Sequence, residues 1–434
     1  MGVHAFAIEN FFYTHDCYSA LEVGERLLRG EWAWSDNVLR IVPTLSFAPR
    51  AAFGTSMIAW HLPHVVLHGL NAALVLVLAR RLGLSSWPAR LAGVLFGCAP
   101  LLAHAVEWLG APYDLFVATG MLGACIAFLD RRPWRLAAFA LLALLSKETA
   151  LALPPILVVL SWSMDGNPFK NRRFWPLVRR VWGVAALTVL CLGLRWLQFQ
   201  LISYELMAGR DIAFSAGDFL ATIFPALGAA VIAPIDMWIG VQNPSVTAAV
   251  GWTVMDVLAL GLRLRPVVRS ANMALLVAGL LAMVPVLLVA SELALMVANT
   301  RYLYVSAAFC APVLAVLVVG NAANPSRWAW AFMALLAGST VYGGVDRVQQ
   351  STATTTAVKP VVQSLSVVAS GAEVWVHSNM YDEATLRLLM SSWLHNERGI
   401  RAVYSIRGGE DVFVRTAAGG IDAATGYFTR RGDI

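Results

Sequence analysis

"MIAWHLPHVVLHGLNAALVLVLARR" (57–81) carries no Asp, Glu, Lys or Arg between Met57 and Ala79 and then closes on Arg80 and Arg81. A helix needs about 20 mostly apolar residues to cross the roughly 30 Å hydrocarbon core of a bilayer, and this run is long enough. Its polar residues, His61, His64, His68 and Asn71, are uncharged at neutral pH and return every three or four positions, the spacing of one helix face.

The pattern recurs along the chain. Of 434 residues, 59% are hydrophobic and 13% are charged, whereas soluble domains carry about a quarter charged residues. A polytopic α-helical membrane protein follows, with about 10–11 transmembrane helices. Spans are expected near 57–79, 89–106, 113–129, 134–146, 149–164, 181–199, 246–262, 272–290, 301–319 and 327–343. The apolar stretch 217–240 is broken by Pro225 and Pro234 and reads as a re-entrant or kinked segment. The five cysteines are widely spaced and mostly inside apolar runs, so they read as small core residues. The first 16 residues have neither a basic start nor a long apolar core, and no cleavable signal peptide is expected there.

Basic residues set the orientation. Arg80–Arg81, Arg131–Arg132–Arg135, the cluster from Lys170 to Arg180, Arg263–Arg265–Arg269 and Arg327 all fall in loops on one face if 217–240 does not cross. The positive-inside rule makes that face cytoplasmic. The net charge of +6 mostly reflects these loops. The opposite mouth collects Asp16, His104, Glu107, Asp114, Lys147, Glu148, Arg210, Asp211, Asp236, Glu292 and Arg301. Charges gathered at helix ends beside a cavity mark a functional site by default. Lys147 and Glu148 stand out, because "LALLSKETALALPP" (142–155) leaves almost no loop to solvate them. His61, His64 and His68 read as bundle-facing hydrogen-bonding residues rather than metal ligands, and Arg195, alone in "LCLGLRWLQF", as snorkelling outward or meeting a lipid headgroup.

The composition changes after residue 344. "QQSTATTTAV" reads as a polar linker. "AEVWVHS", "IRAVYSIR" and "EDVFVRTA" read as strands, and "DEATLRLLMSSWLHNER" as an amphipathic helix between the first two. The expected organisation is a transmembrane domain over 1–349 and a small α/β extracytoplasmic domain over 350–434.

"WHLPHVVLHGLNAALVLVLARRL" (60–82), "LLSKETALALPPILVVL" (144–160) and "NTRYLYVSAAF" (299–309), preceded by "IVPTLSFAPRAAFG" (41–54), together resemble the membrane-embedded GT-C glycosyltransferases. The likeness is to the branch of protein O-mannosyltransferases, tetratricopeptide-bearing transmembrane mannosyltransferases and their bacterial relatives, and extends over most of 10–320. The resemblance implies transfer of a sugar from a polyprenyl-phosphate donor to an acceptor hydroxyl of a protein, lipid or glycan. It places the chain as a multi-pass protein of the cell inner membrane, with site and C-terminal domain on the periplasmic side. Membrane lipids are expected partners and nucleic acid is not. The resemblance assigns no cofactor with certainty and leaves a divalent metal open without favouring it.

The same resemblance assigns roles. Asp16 is the expected general base, with Glu107 and Asp114 as the other candidate catalytic carboxylates. Lys147 and Arg301 are expected to hold the donor phosphate. His15, His104, Glu148 and Tyr302 support them, Glu148 by orienting Lys147 or tuning the acceptor side. The chain departs from the family in "YTHDCY" (13–18), where His15 replaces the first of two acids. In "APLLAHAVEWLGAPYDLF" (99–116), His104 and Pro112 stand where Glu and Arg are usual. Asp16 must lie outside for this site, so either a helix precedes this sequence or its N-terminus packs as interfacial helices. Two other classes compete: a divergent, non-catalytic member or scaffold, and a lipid-linked sugar transporter or flippase.

Overall fold

The computed structural model describes residues 15–32, 40–54, 56–109, 112–165, 174–202, 216–235, 244–264, 269–287, 300–321, 326–366, 373–377, 401–407 and 411–417. The architecture is mostly helical. Three short helices come first: α1 (His15–Leu28), α2 (Ile41–Leu45) and α3 (Phe47–Ala51). The long α4 (Met57–Arg81) follows, then α5 (Ser86–Gly97), α6 (Ala103–Glu107), α7 (Tyr113–Leu129) and α8 (Pro133–Leu144). A 3₁₀ turn, Glu148–Ala152, leads into α9 (Leu153–Asp165). The remaining helices are α10 (Phe174–Ile202), α11 (Ala216–Ile232), α12 (Pro244–Leu264), α13 (Arg269–Leu287), α14 (Tyr304–Val319) and α15 (Arg327–Ser366).

Among the described residues, five segments are long and apolar enough to cross a bilayer: Met57–Arg81, Trp175–Leu197, Ser270–Leu287, Thr300–Val319 and Arg327–Asp346. The pair Ser86–Gly97 and Pro100–Glu107 makes a sixth if its 47° bend is taken within one span. This is fewer than the ten or eleven expected. The segment 134–146 shows why, since α8 has 12 residues and so rises only about 18 Å. It ends where Lys147 turns extended, at φ −159° and ψ 153°. Pro225, expected to break its segment, sits inside α11, and a 3₁₀ turn at Ala233–Ile235 holds Pro234. The expected linker at 349–358 is helical, as part of α15.

Lipid exposure is visible on α10. Trp175, Trp182, Val189 and Trp196, seven residues apart, are 66–68% exposed. An apolar stripe of that extent facing water would be costly; facing acyl chains it is matched.

The helices approach closely through small residues, the packing available where lipid removes most of the hydrophobic drive between helices. A Cβ on Gly120 would fall 2.5 Å from the Ala143 backbone nitrogen, and one on Gly228 2.4 Å from the Gly251 Cα. A buried hydrogen-bond network pins four helices. The Tyr304 hydroxyl lies 2.7 Å from His68 Nδ1 and accepts from Asn71 Nδ2 at 3.2 Å. His68 Nε2 lies 3.2 Å from the Gly97 carbonyl, and the Thr119 hydroxyl 2.7 Å from Asn71 Oδ1.

The basic loops meet at one end of the bundle. Arg81 pairs with Asp130 at 2.7 Å, Arg180 donates to the Phe128 carbonyl at 2.8 Å, and the Ser85 amide donates to Asn321 Oδ1 at 2.7 Å. Three strands lie in the C-terminal region, β1 (Glu373–His377), β2 (Arg401–Arg407) and β3 (Asp411–Ala417), antiparallel in the order β1-β3-β2. The described residues of this region past α15 are the three strands, and the helix expected between the first two lies outside the described residues.

Gly120→Val should force α7 and α8 apart. The expected loss is about 1–3 kcal/mol, the usual cost of overpacking, read as a lowered unfolding midpoint in detergent. An unchanged midpoint would mean that this contact does not hold the helices.

Candidate functional site

At the end of the bundle away from the basic loops, three short connections converge. Asp114 occupies the first turn of α7, where unpaired backbone N–H groups favour a negative charge. Lys147 stands in the extended residue just before the 3₁₀ turn. Its Nζ donates to Asp114 Oδ1 at 2.6 Å, and the two side chains are 7% and 4% exposed. A charge buried this far is tolerable because it is paired. The ammonium also lies 5.0 Å from the centre of the Tyr302 ring.

Glu148 points elsewhere. Arg40 Nη2 donates to both of its carboxylate oxygens, at 2.9 and 3.1 Å, and Arg195 Nη1 donates to Oε2 at 3.0 Å. Burial alone would raise the Glu148 carboxyl, but the combined charges of Arg40, Lys147 and Arg195 outweigh it and hold it well below the usual carboxylate range. The clasp joins the segment before α2, the 3₁₀ turn and α10. The Val42 amide strengthens it by donating to the Leu145 carbonyl at 3.2 Å, and the Arg40 guanidinium lies 4.9 Å from the Tyr113 ring centre. Glu148 is thus hydrogen-bonded by Arg40 and Arg195, and Arg195 meets a protein carboxylate.

Arg301 belongs to the 3₁₀ turn Thr300–Leu303. Its guanidinium lies 4.2 Å from the Trp108 ring centre and 5.6 Å from that of Tyr302. Its Nε is buried without a hydrogen-bond partner, and no carboxylate among the described residues pairs with it. The His104 ring packs against Trp108, centroids 4.7 Å apart. Glu107, at the end of α6, is 4% exposed.

The structure thus gathers Asp114, Lys147 and Tyr302 directly, Arg301 with Tyr302, Trp108 and His104, and Glu148 with Arg40 and Arg195. His15 and Asp16 sit in the first turn of α1, and the placement of their side chains lies outside the description, as do Arg210, Asp211, Asp236 and Glu292. Arg40 was not legible as a site residue. Its signal is a lone arginine next to the apolar "IVPTL", as Arg195 is lone within "LCLGLRWLQF"; two isolated cations call for an acid, and Glu148 is that acid. No group of three or more His, Cys, Asp or Glu among the described residues is arranged to hold a metal ion.

Comparison with protein-family models, with curated proteins and with solved structures finds no match to this chain.

Lys147→Ala leaves Asp114 buried and unpaired and should cost about 3–5 kcal/mol. Adding Asp114→Asn should recover a large part of that loss, because the stranded charge is removed as well. Additive losses in a double-mutant unfolding cycle would show that the two side chains do not form a coupled pair.

Proposed function

We propose that this chain is an integral membrane glycosyltransferase, moving a sugar from a polyprenyl-phosphate donor to an acceptor hydroxyl. The observation that carries this reading is Arg301, a guanidinium cradled by aromatic rings, with an unsatisfied Nε and no carboxylate paired to it among the described residues. Guanidinium is suited to phosphate, since its planar N–H fork binds two oxygens at once. The resemblance of 60–82, 144–160 and 299–309 to the GT-C glycosyltransferases points the same way.

In the reaction the acceptor oxygen attacks the anomeric carbon, the bond from that carbon to the phosphate oxygen breaks, and the hydroxyl proton passes to a carboxylate. The phosphate changes from a diester with one negative charge to a monoester with up to two. A cation at that position therefore binds the transition state more strongly than the ground state, which is the condition for catalysis. Arg301 takes that part. Lys147, already neutralised by Asp114, serves as a fixed dipole beside it, and Asp114 keeps Lys147 in place rather than taking the proton. The base is then Asp16, with Glu107 as the second carboxylate. Trp108, under the guanidinium, offers a flat apolar face to a sugar ring.

The charges stand at helix ends: Asp114 at the start of α7, Lys147 after α8, and Arg301 just before α14. A transport pathway would place them near the middle of the spans. The positive-inside rule supports a basic end on the cytoplasmic side, and with it the reading of a site on the outer face of the membrane.

Native mass spectrometry of the detergent-solubilised protein with added polyprenyl phosphate tests the reading. Wild type should retain the lipid and Arg301→Gln should lose about 10- to 100-fold in affinity, the worth of charge-assisted hydrogen bonds. Asp16→Asn should retain the lipid and lose transfer. Equal retention by wild type and Arg301→Gln, or by neither, overturns it.

A further inference from the structure

A second buried cation stands on the other side of Tyr113 from Arg40. Arg50, in α3, is 3% exposed. Its Nη1 lies 2.9 Å from His64 Nε2, and His64 Nδ1 lies 3.0 Å from the Val106 carbonyl. A carbonyl accepts only, so Nδ1 carries the proton and Nε2 accepts from Arg50. His64 is therefore neutral and leaves the guanidinium charge uncompensated. The Phe47 and Trp60 rings each stand 6.0 Å away. Arg50 Nη2 has no hydrogen-bond partner, and no carboxylate pairs with Arg50 among the described residues. Burial accordingly pulls its guanidinium down to about 10, leaving it charged at neutral pH. A buried unpaired charge is costly, and such groups are found paired.

Arg50 lines a groove of about 690 Å³ between α3 and α4. The groove is otherwise built chiefly from apolar side chains, among them Pro49, Phe53, Leu62, Val66 and Phe116, and its other polar side chains are Ser46 and Ser56. It runs into an exposed row at helical spacing on α4: Ile58 at 61%, and Leu62, Val66 and Leu70 each at 44%. That row lies on one of the spans and is the kind of surface acyl chains cover. Phe53 is 68% exposed, so its ring can turn aside to admit a headgroup.

We propose that this groove holds an anionic phospholipid of the surrounding bilayer, its chain along Leu62 and Val66 and its phosphate on Arg50. Charge complementarity selects the occupant: the groove supplies apolar length and one guanidinium that no acid among the described residues neutralises. The proposed site is built on Arg50, the proposed donor site on Arg301.

The test is native mass spectrometry of the full chain with dioleoyl phosphatidylglycerol and, in parallel, dioleoyl phosphatidylcholine. Wild type should retain phosphatidylglycerol in preference, and Arg50→Gln should lose that preference by roughly tenfold or more. Leu62→Trp fills the groove from an exposed position, keeps Arg50, and should also release the lipid, so the test stands if Arg50→Gln fails to fold. Arg301→Gln should retain phosphatidylglycerol as wild type does, which separates this site from the donor site. Equal retention of the two lipids by wild type, or no loss in Leu62→Trp, overturns the proposal. Displacement of phosphatidylglycerol by inorganic phosphate alone would make the site an anion site and overturn the lipid assignment. Displacement by polyprenyl phosphate that Arg50→Gln abolishes would make the groove part of the donor site and overturn it too.

Discussion

Lys147 cannot stay in an apolar bundle without Asp114. The 2.6 Å bond between them makes the break after α8 tolerable, and much of the site follows from that break. The chain turns extended at Lys147 and then tightens into a 3₁₀ turn, which presents Glu148 away from Lys147 and toward Arg40 and Arg195. One buried pair and one clasp thus tie the α2 entry, α7, the α8–α9 connection and α10 together at a single mouth. The arrangement uses up the charge of Lys147 and Glu148 internally. Arg301 stands against rings, with no carboxylate paired to it among the described residues, and is the cation proposed to meet an anion from outside.

The scaffold beneath obeys a different constraint. Between helices in lipid, packing and hydrogen bonds replace the hydrophobic drive. Gly120 against Ala143 and Gly228 against Gly251 bring backbones close, while His68, Asn71, Thr119 and Tyr304 satisfy one another across three helices. The outward face of α10 carries tryptophans at sevenfold spacing. An apolar outer face over an apolar core crossed by a few polar bonds differs from a soluble bundle, whose outer face is polar.

The long spans were legible because a run such as 57–81 has no charge until its closing arginines, and hydropathy needs no partner to be read. The basic loops were legible for the same reason, and Arg81 on Asp130 and Arg180 on Phe128 put two of them at one end. Pairings were not legible. Lys147 and Glu148 are adjacent in sequence, yet the extended backbone at Lys147 sends them to different partners, and Asp114 lies 33 positions from Lys147. Arg195 shows no sign in its own segment of the acid 47 positions away that it meets. Pro225 was read as a break because proline removes a helix hydrogen bond. The helix instead continues through it, with Gly251 packed so near that a Cβ there would lie 2.5 Å from the Pro225 Cα.

The central claim is that Arg301, and not Lys147, is the cation that meets the donor phosphate. Cryo-electron microscopy of the full chain with polyprenyl phosphate bound tests it most directly. The account predicts phosphate density within hydrogen-bond reach of the Arg301 guanidinium, beside Trp108, with the Lys147–Asp114 pair intact. Density on Lys147 with Asp114 swung away, or density remote from this mouth of the bundle, would contradict it.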